Sequence, residues 1–526
     1  MKKIHLLLLS PICLGSPVLA QNLISESLTN ARSDGGSYIS WKEHIIDDRV
    51  LSGVPFSGSD GLEMADLDGD GIDDIVSVHE SDSAYDSTTP GETPPAMGHV
   101  RIAFGSNDPD SWTNITLAEG VEASAAEDAA IADVNGDGFL DIMIAAELSH
   151  LIYFQNPGQD IRNQVWERLI LPMTRGRGSY IRVFLADLDG DGRPEAIAPN
   201  KGAQRPAVAD YRRSTAASIY KFTGDPLDGS SWQEIELGRF SNPRNSEPID
   251  IDQDGDLDII VGSNGENRII LFENIDPDKL GFEEHAIGVY GPGTNGFNME
   301  FVDINKDGRL DIIGGSGRTL SWLEQPENID PDKLGFEEHA IGVYGPGTNG
   351  FNMEFIDINK DGRLDIIGGS GRTLSWLEQP ENIDHAWISR SIGSFAPDSM
   401  TGFEIADIND DGLVDIIAGS YSRGPRMGDG EVDENDSLGR IGWFENPGEI
   451  ESEWTRHDIS RRKRGMFDRF IARDLDNDGD IDFVGTRGNS DPYDGVFWLE
   501  QVRSNEPRRN FQPARAEESD EIALPF

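Results

Sequence analysis

Short apolar runs alternate with acidic, glycine-bearing turns along most of this chain. Ile75-Val76, Ile142-Met143-Ile144, Ile259-Ile260-Val261 and Ile416-Ile417-Ala418 each follow a cluster of aspartates, and most close on Gly or Ser. Runs this short, rich in branched side chains and bounded by turn formers, predict strands. The acidic turn reads D-x-[DN]-x-D-G-x-x-[DE] and occurs eight times, at spacings of 67, 54, 63, 53, 54, 50 and 67 residues. Each unit holds four strand-like runs; in the seventh they are Gly402–Ala406, Val414–Gly419, Arg440–Phe444 and Trp454–Asp458. Third runs are aromatic, as in Ile441-Gly-Trp-Phe444, and fourth runs open on Trp112, Trp166, Trp232, Phe282, Phe336, Trp387 or Trp454. Four strands per repeated unit predict an all-β fold, an eight-bladed β-propeller with one unit per blade over residues 40–501. The eighth unit lacks its own fourth strand, and a spare copy stands at Trp41–Ile46. Residues 40–47 are therefore expected to close the ring, because an open ring leaves sheet edges bare. Glu273–Pro326 and Glu327–Pro380 are 54-residue copies that differ only at Val302 and Ile356, so one blade is a duplicate.

The segments outside the repeats read differently. Met1-Lys2-Lys3, an apolar run to about Leu14 and Ser16–Ala20 have the make-up of a secretory signal peptide cut after Ala20. That predicts a secreted or periplasmic protein. The sole cysteine, Cys13, lies inside this leader. No later stretch approaches a membrane-spanning length. Residues 21–39 read as a linker, and the proline-bearing polar stretch 502–526 as a disordered tail. With 44 Lys+Arg against 96 Asp+Glu the net charge is −52, which argues against a nucleic-acid partner.

The placement of the carboxylates says what they are for. Position one of the turns is Asp66, Asp133, Asp187, Asp250, Asp303, Asp357, Asp407 and Asp474. Position three is Asp68, Asn135, Asp189, Asp252, Asn305, Asn359, Asn409 and Asp476. Position five is Asp70, Asp137, Asp191, Asp254, Asp307, Asp361, Asp411 and Asp478, followed by Gly. Position nine is Asp74, Asp141, Glu195, Asp258, Asp311, Asp365, Asp415 and Asp482. An EF-hand would need an acidic twelfth residue and flanking helices; the twelfth residues here are Ser77, Ile144, Ala198, Val261, Gly314, Gly368, Ala418 and Gly485. Oxygen-only ligands on a strand-to-strand loop suit up to eight Ca²⁺ ions, without which the carboxylates would repel. These features resemble the FG-GAP/VCBS repeats of integrin-alpha-like propellers, a resemblance that implies fold and calcium more than function.

The repeat also serves as a control, since a residue recurring in every blade is architecture. His44, His285, His339 and His457 recur in fourth strands and belong to the blade edge. Glu63, Glu247, Glu300, Glu354 and Glu404 recur three residues before their loops, as channel-mouth residues. His79, His99 and His150 break the pattern on the face opposite the loops, with Glu80 and Glu147 beside them. Three imidazoles at one mouth would suit Zn²⁺ or another transition metal; the alternative is three surface histidines. The run Thr174–Arg182 brings Arg177, Tyr180 and Arg182, donors suited to an anionic or hydroxyl-rich ligand, or else a solvated basic loop. Arg461-Arg-Lys-Arg464 is a further basic run entering blade eight.

Ile75–Glu80, His99–Gly105, Glu127–Asp137, Ser149–Pro157 and Gly176–Arg182 resemble the propeller of fungal aldos-2-ulose dehydratase/isomerase, over about residues 40–270. The resemblance implies a zinc ion on His79, His99 and His150 acting on 2-keto sugars such as 1,5-anhydrofructose. It also implies substrate contacts from Arg177, Tyr180 and Arg182, and Glu80 or Glu147 as candidate base. The cupin and lectin-like domains of that family are missing, and its propeller has seven blades. Two functions follow: a secreted metal-assisted carbohydrate dehydratase or lyase, or a non-catalytic adhesion, glycan- or protein-binding propeller. Either would bind a carbohydrate or small molecule on the face opposite the calcium loops.

Overall fold

The computed structural model describes residues 23–81, 97–159, 161–202, 214–266, 268–289, 294–316, 319–327, 335–343, 353–422, 432–449, 452–488, 490, 492–515 and 520–525. The expected leader 1–20 lies outside them. The described strands form eight sheets, seven of four strands and one of five, antiparallel except where Phe511–Gln512 joins the five-stranded one. The order follows the chain in blades one to seven, whereas in blade eight the N-terminal strand Tyr38–Asp48 stands fourth. Blade one is Ser59–Ala65, Asp74–His79, His99–Phe104 and Thr113–Glu119; blade three is Phe184–Ala186, Glu195–Pro199, Ser214–Phe222 and Trp232–Ser241. Each 54-residue copy supplies the fourth strand of one blade and the first three of the next, so the pair spans blades four to six, which are separate, complete sheets.

The sequence pattern explains the packing. Second strands such as Asp74–His79 and Asp141–Ala146 are buried along their whole length, which is why they read as unbroken apolar runs. Their side chains meet those of the next blade, so the core is a set of seams rather than one centre. One seam joins Val76 and Ile102 of blade one to Ile144 and Phe154 of blade two. Another joins Ile417 and Trp443 of blade seven to Phe483 and Leu499 of blade eight. Side-chain amides tie the same seams. Asn156 reaches the Leu67 carbonyl of the preceding blade at 2.9 Å, and Gln325 reaches that of Ile251 at 2.9 Å.

Closure occurs where expected, through a longer strand. Tyr38–Asp48 pairs antiparallel with Gly495–Ser504. Described residues within 21–39, expected as a linker, and within 502–526, expected as a disordered tail, make ordered pairings. Thr29 donates to the Arg508 carbonyl at 2.9 Å, and Phe511–Gln512 pairs parallel with the outer edge of the closing strand at Trp41 and Lys42. Phe511 is buried in the blade seven–eight seam, and Arg515 pairs with Asp48 at 2.5 Å. The physical reason is the free edge of the closing strand, which the two terminal segments cover together. Among the described residues no helix is long and apolar enough to cross a membrane.

Candidate functional site

Each acidic loop wraps its first aspartate in backbone donors. In blade one Gly69 and Asp70 donate to Asp66 Oδ1 at 2.8 and 3.0 Å, and Gly71 to Oδ2 at 2.9 Å. The ninth-position carboxylate closes the loop from the second strand: Asp74 accepts from Leu67 at 3.0 Å and Gly105 at 2.9 Å. One oxygen from each of Asp66, Asp68 and Asp70 lies within 4.8 Å of the others, as do those of Asp250, Asp252 and Asp254. Asp250 Oδ1 is buried without a hydrogen-bond partner. An all-oxygen set with an orphaned buried oxygen fits a hard cation such as Ca²⁺. Burial, reinforced by neighbouring loop carboxylates, lifts Asp258 and Asp482 to about 7 and Asp415 to about 8.

Behind the loops stands a second charge layer. One residue past the Ile416–Phe444 and Phe483–Leu499 pairs, Glu445 and Glu500 face the ninth-position aspartates. His457 bonds Glu445 at 2.8 Å while stacking on Trp443 at 4.4 Å; His44 bonds Glu500 at 2.6 Å and stacks on Trp498 at 4.2 Å. His339 repeats this with Glu324 and Trp322. The recurring histidines therefore support the blade edge.

On the innermost strands, Glu300 is flanked by Glu247 and Glu354, and Glu354 by Glu404. Burial first, then these neighbours, push Glu300 and Glu354 up to about 7. Arg182 and Arg469 share this ring, at 3.9 Å from Asp128 and 3.7 Å from Glu63.

Four stretches of the chain, residues 66–144, 133–198, 250–314 and 357–418, match the model of the FG-GAP-like repeat. The chain carries FG-GAP-like repeats. Among solved structures it is similar to Sqt1 of Saccharomyces cerevisiae, at 10% identity and TM-score 0.51, covering 88% of this chain and 99% of that one. It is also similar to Sqt1 of Chaetomium thermophilum, at 9% identity and TM-score 0.50, with the same coverage. A rhamnogalacturonan lyase of Bacillus licheniformis matches at 15% identity and TM-score 0.46, covering 88% and 75%. At these identities the likeness is one of fold.

The face opposite the FG-GAP-like loops rearranges the expected site. His79 and His99 are cross-strand partners in blade one, under the ring of Phe56. Both nitrogens of His79 are taken, Nδ1 at 2.8 Å from Ser59 Oγ and Nε2 at 3.0 Å from Ser77 Oγ. His99 Nδ1 lies 2.6 Å from Ser81 Oγ. His150 points its Nε2 at the Glu122 carbonyl, at 2.7 Å. Burial holds all three in the neutral form, His99 at about 4, and the Arg101 charge adds to this for His79 and His99. His79 thus has both nitrogens engaged, whereas the bonds of His99 and His150 each take up one nitrogen. The expected substrate contacts also separate. Tyr180 is buried with its hydroxyl between Asn200 and Tyr220, because its ring fills the blade two–three seam. Arg177 turns outward to Glu234 at 2.5 Å, and Arg182 turns to the channel. Nor is the 461–464 run a solvated basic patch: Arg461 is fully buried on Asp398, and Arg462 reaches Glu43 at 2.7 Å.

What does converge is carboxylate. Oxygens of Glu80, Glu127 and Glu147 lie within 4.8 Å of one another, and Lys201 Nζ bonds Glu147. Glu80, Glu147 and Lys201 occupy one repeat position in three successive blades. Each donates its backbone N–H to the segment before its own inner strand, at 2.9, 2.8 and 2.8 Å. Elsewhere that position is Asn264, Gly317, Gly371, Tyr421 or Gly488. Glu127 and Lys201 were missed, though the repeat control, applied to lysine as it was to histidine, would have singled out Lys201. Three close carboxylates form an all-oxygen set of the kind that can hold a hard divalent cation.

Proposed function

We propose that this protein is a secreted, calcium-stabilised β-propeller that acts on a carbohydrate at the mouth of blades one to three, as a dehydratase of 2-keto sugars. The observation that carries this reading is the Glu80–Glu127–Glu147–Lys201 cluster, which breaks the repeat and gathers three carboxylates and an ammonium on the face away from the acidic loops. Glu147, held by Lys201, serves as base toward the proton beside the ketone. A protonated partner, Glu80 or Glu127, then supplies the proton for the departing β-hydroxyl. The C–H bond breaks, a C=C bond forms beside the carbonyl, and the C–O bond breaks to release water. A divalent cation on the same carboxylates would polarise the ketone.

A second reading, a non-catalytic glycan- or protein-binding propeller, is favoured by the bonding of His79 and the burial of Tyr180. Incubation with 1,5-anhydrofructose, followed by absorbance of the conjugated product, separates the two. Turnover by the wild type that falls at least about 100-fold in Glu147→Gln, with unchanged melting, is expected for the dehydratase. Absence of turnover in the wild type rejects it and leaves the binding reading.

A further inference from the structure

The eight loops are not equivalent in charge. One residue beyond the pairs Ile259–Phe272, Ile312–Leu323, Ile366–Leu377, Ile416–Phe444 and Phe483–Leu499, blades four to eight place Glu273, Glu324, Glu378, Glu445 and Glu500. Blades one and two have Phe104 and Gln155 there. In blade three, one residue beyond the Ala196–Tyr220 pair, the residue is Lys221. Its ammonium bonds Asp189 at position three, lies 3.0 Å from Glu195 at position nine and 3.5 Å from Asp191 at position five. Blade three is also the one with glutamate in place of aspartate at position nine, which lengthens the reach of that carboxylate by a methylene. Oxygens of Asp187, Asp189 and Glu195 lie within 4.8 Å of one another, and Asp187 Oδ1 is orphaned like that of Asp250, so it is Lys221 and not the donor set that sets this loop apart.

We propose that the blade three loop is not a calcium site: Lys221 is its built-in cation, held where a Ca²⁺ ion would have to bridge positions three and nine. An ammonium has three donors and here meets three of the four loop carboxylates, so an entering Ca²⁺ would have to expel a side chain fixed by its strand. Blade one offers the contrast. Arg162 reaches over its loop from the neighbouring blade at 2.6 Å from Asp68 and 3.0 Å from Asp70, and leaves Asp74 at position nine to backbone donors. Blade three, which supplies Lys201 to the mouth cluster, would then keep its loop ordered when calcium is scarce, while blades four to eight would not.

This inference rests on the reading of the other loops as calcium sites, and its test separates the two. Hydrogen exchange of the full mature protein is followed by mass spectrometry with Ca²⁺ and with excess EGTA. Peptides spanning 250–258, 303–311, 357–365, 407–415 and 474–482 are expected to lose protection at least about tenfold in EGTA, and the peptide spanning 187–195 to change less than twofold. In Lys221→Gln the 187–195 peptide should become EGTA-sensitive, and native mass spectrometry should count one Ca²⁺ more than in the wild type. A wild-type 187–195 peptide that responds to EGTA as the blade four peptide does overturns the inference, whether or not the variant folds. No response in any loop overturns the calcium reading and the inference with it.

Discussion

Glu300 and Glu354 face one another's charge on the inner wall of the ring, with Glu247 and Glu404 on either side and Arg182 and Arg469 as the nearest cations. Their folded-state carboxyls are raised by burial to about 7, against an ordinary value near 4.5. The folded state therefore binds more protons than the unfolded chain between these values. This contribution to stability is fully present below about pH 4.5 and is lost as pH rises through 7. Urea midpoints at saturating calcium should fall from pH 6 to pH 8, and the double variant Glu300→Gln, Glu354→Gln should remove much of that fall and exceed the wild type at pH 8. Equal slopes in the two proteins would contradict the assignment. Single residues were legible in the sequence where the repeat could be used as a control. His339 and His457 were separated from His79 in this way, and their stacking on Trp322 and Trp443 is the reason they recur. Tyr180 was misread because a tyrosine among arginines looks like a ligand contact, whereas its ring is core.

At the level of elements, strand periodicity and turn chemistry foretold the four-stranded blade and its closing strand, because each blade repeats the same local rules eight times. The terminal segments follow no such repeat. Their order comes from covering the edge of Tyr38–Asp48, a tertiary need that polar composition does not reveal. Phe511, 2% exposed, is the anchor of that cover. Phe511→Ala should cost about 3–4 kcal/mol, read as a lower urea midpoint, because a buried aromatic leaves a cavity at the seam. A disordered tail would show no change. The mouth cluster was half legible for a similar reason. Glu80 and Glu147 stood out by position, but their meeting with Glu127 and Lys201 depends on how successive blades are set side by side.

For the whole molecule, the buried side chains among the described residues gather in eight seams between blades rather than in one centre, and the acidic loops sit at the seams' ends. Asn156 and Gln325 bind carbonyls of Leu67 and Ile251, each the second residue of the preceding blade's loop, so on the proposed calcium reading the loss of a cation from one loop would also loosen its neighbour. Calcium is accordingly expected to act on the fold as a unit rather than on single turns. A ligand bound only by the native state adds stability by mass action at every site, so several sites compound. Thermal melting of the mature protein in excess EGTA is the direct test. A fall of at least about 10 °C, restored by Ca²⁺ and poorly by Mg²⁺, is the expected result; an unchanged melting curve would contradict the calcium-stabilised ring.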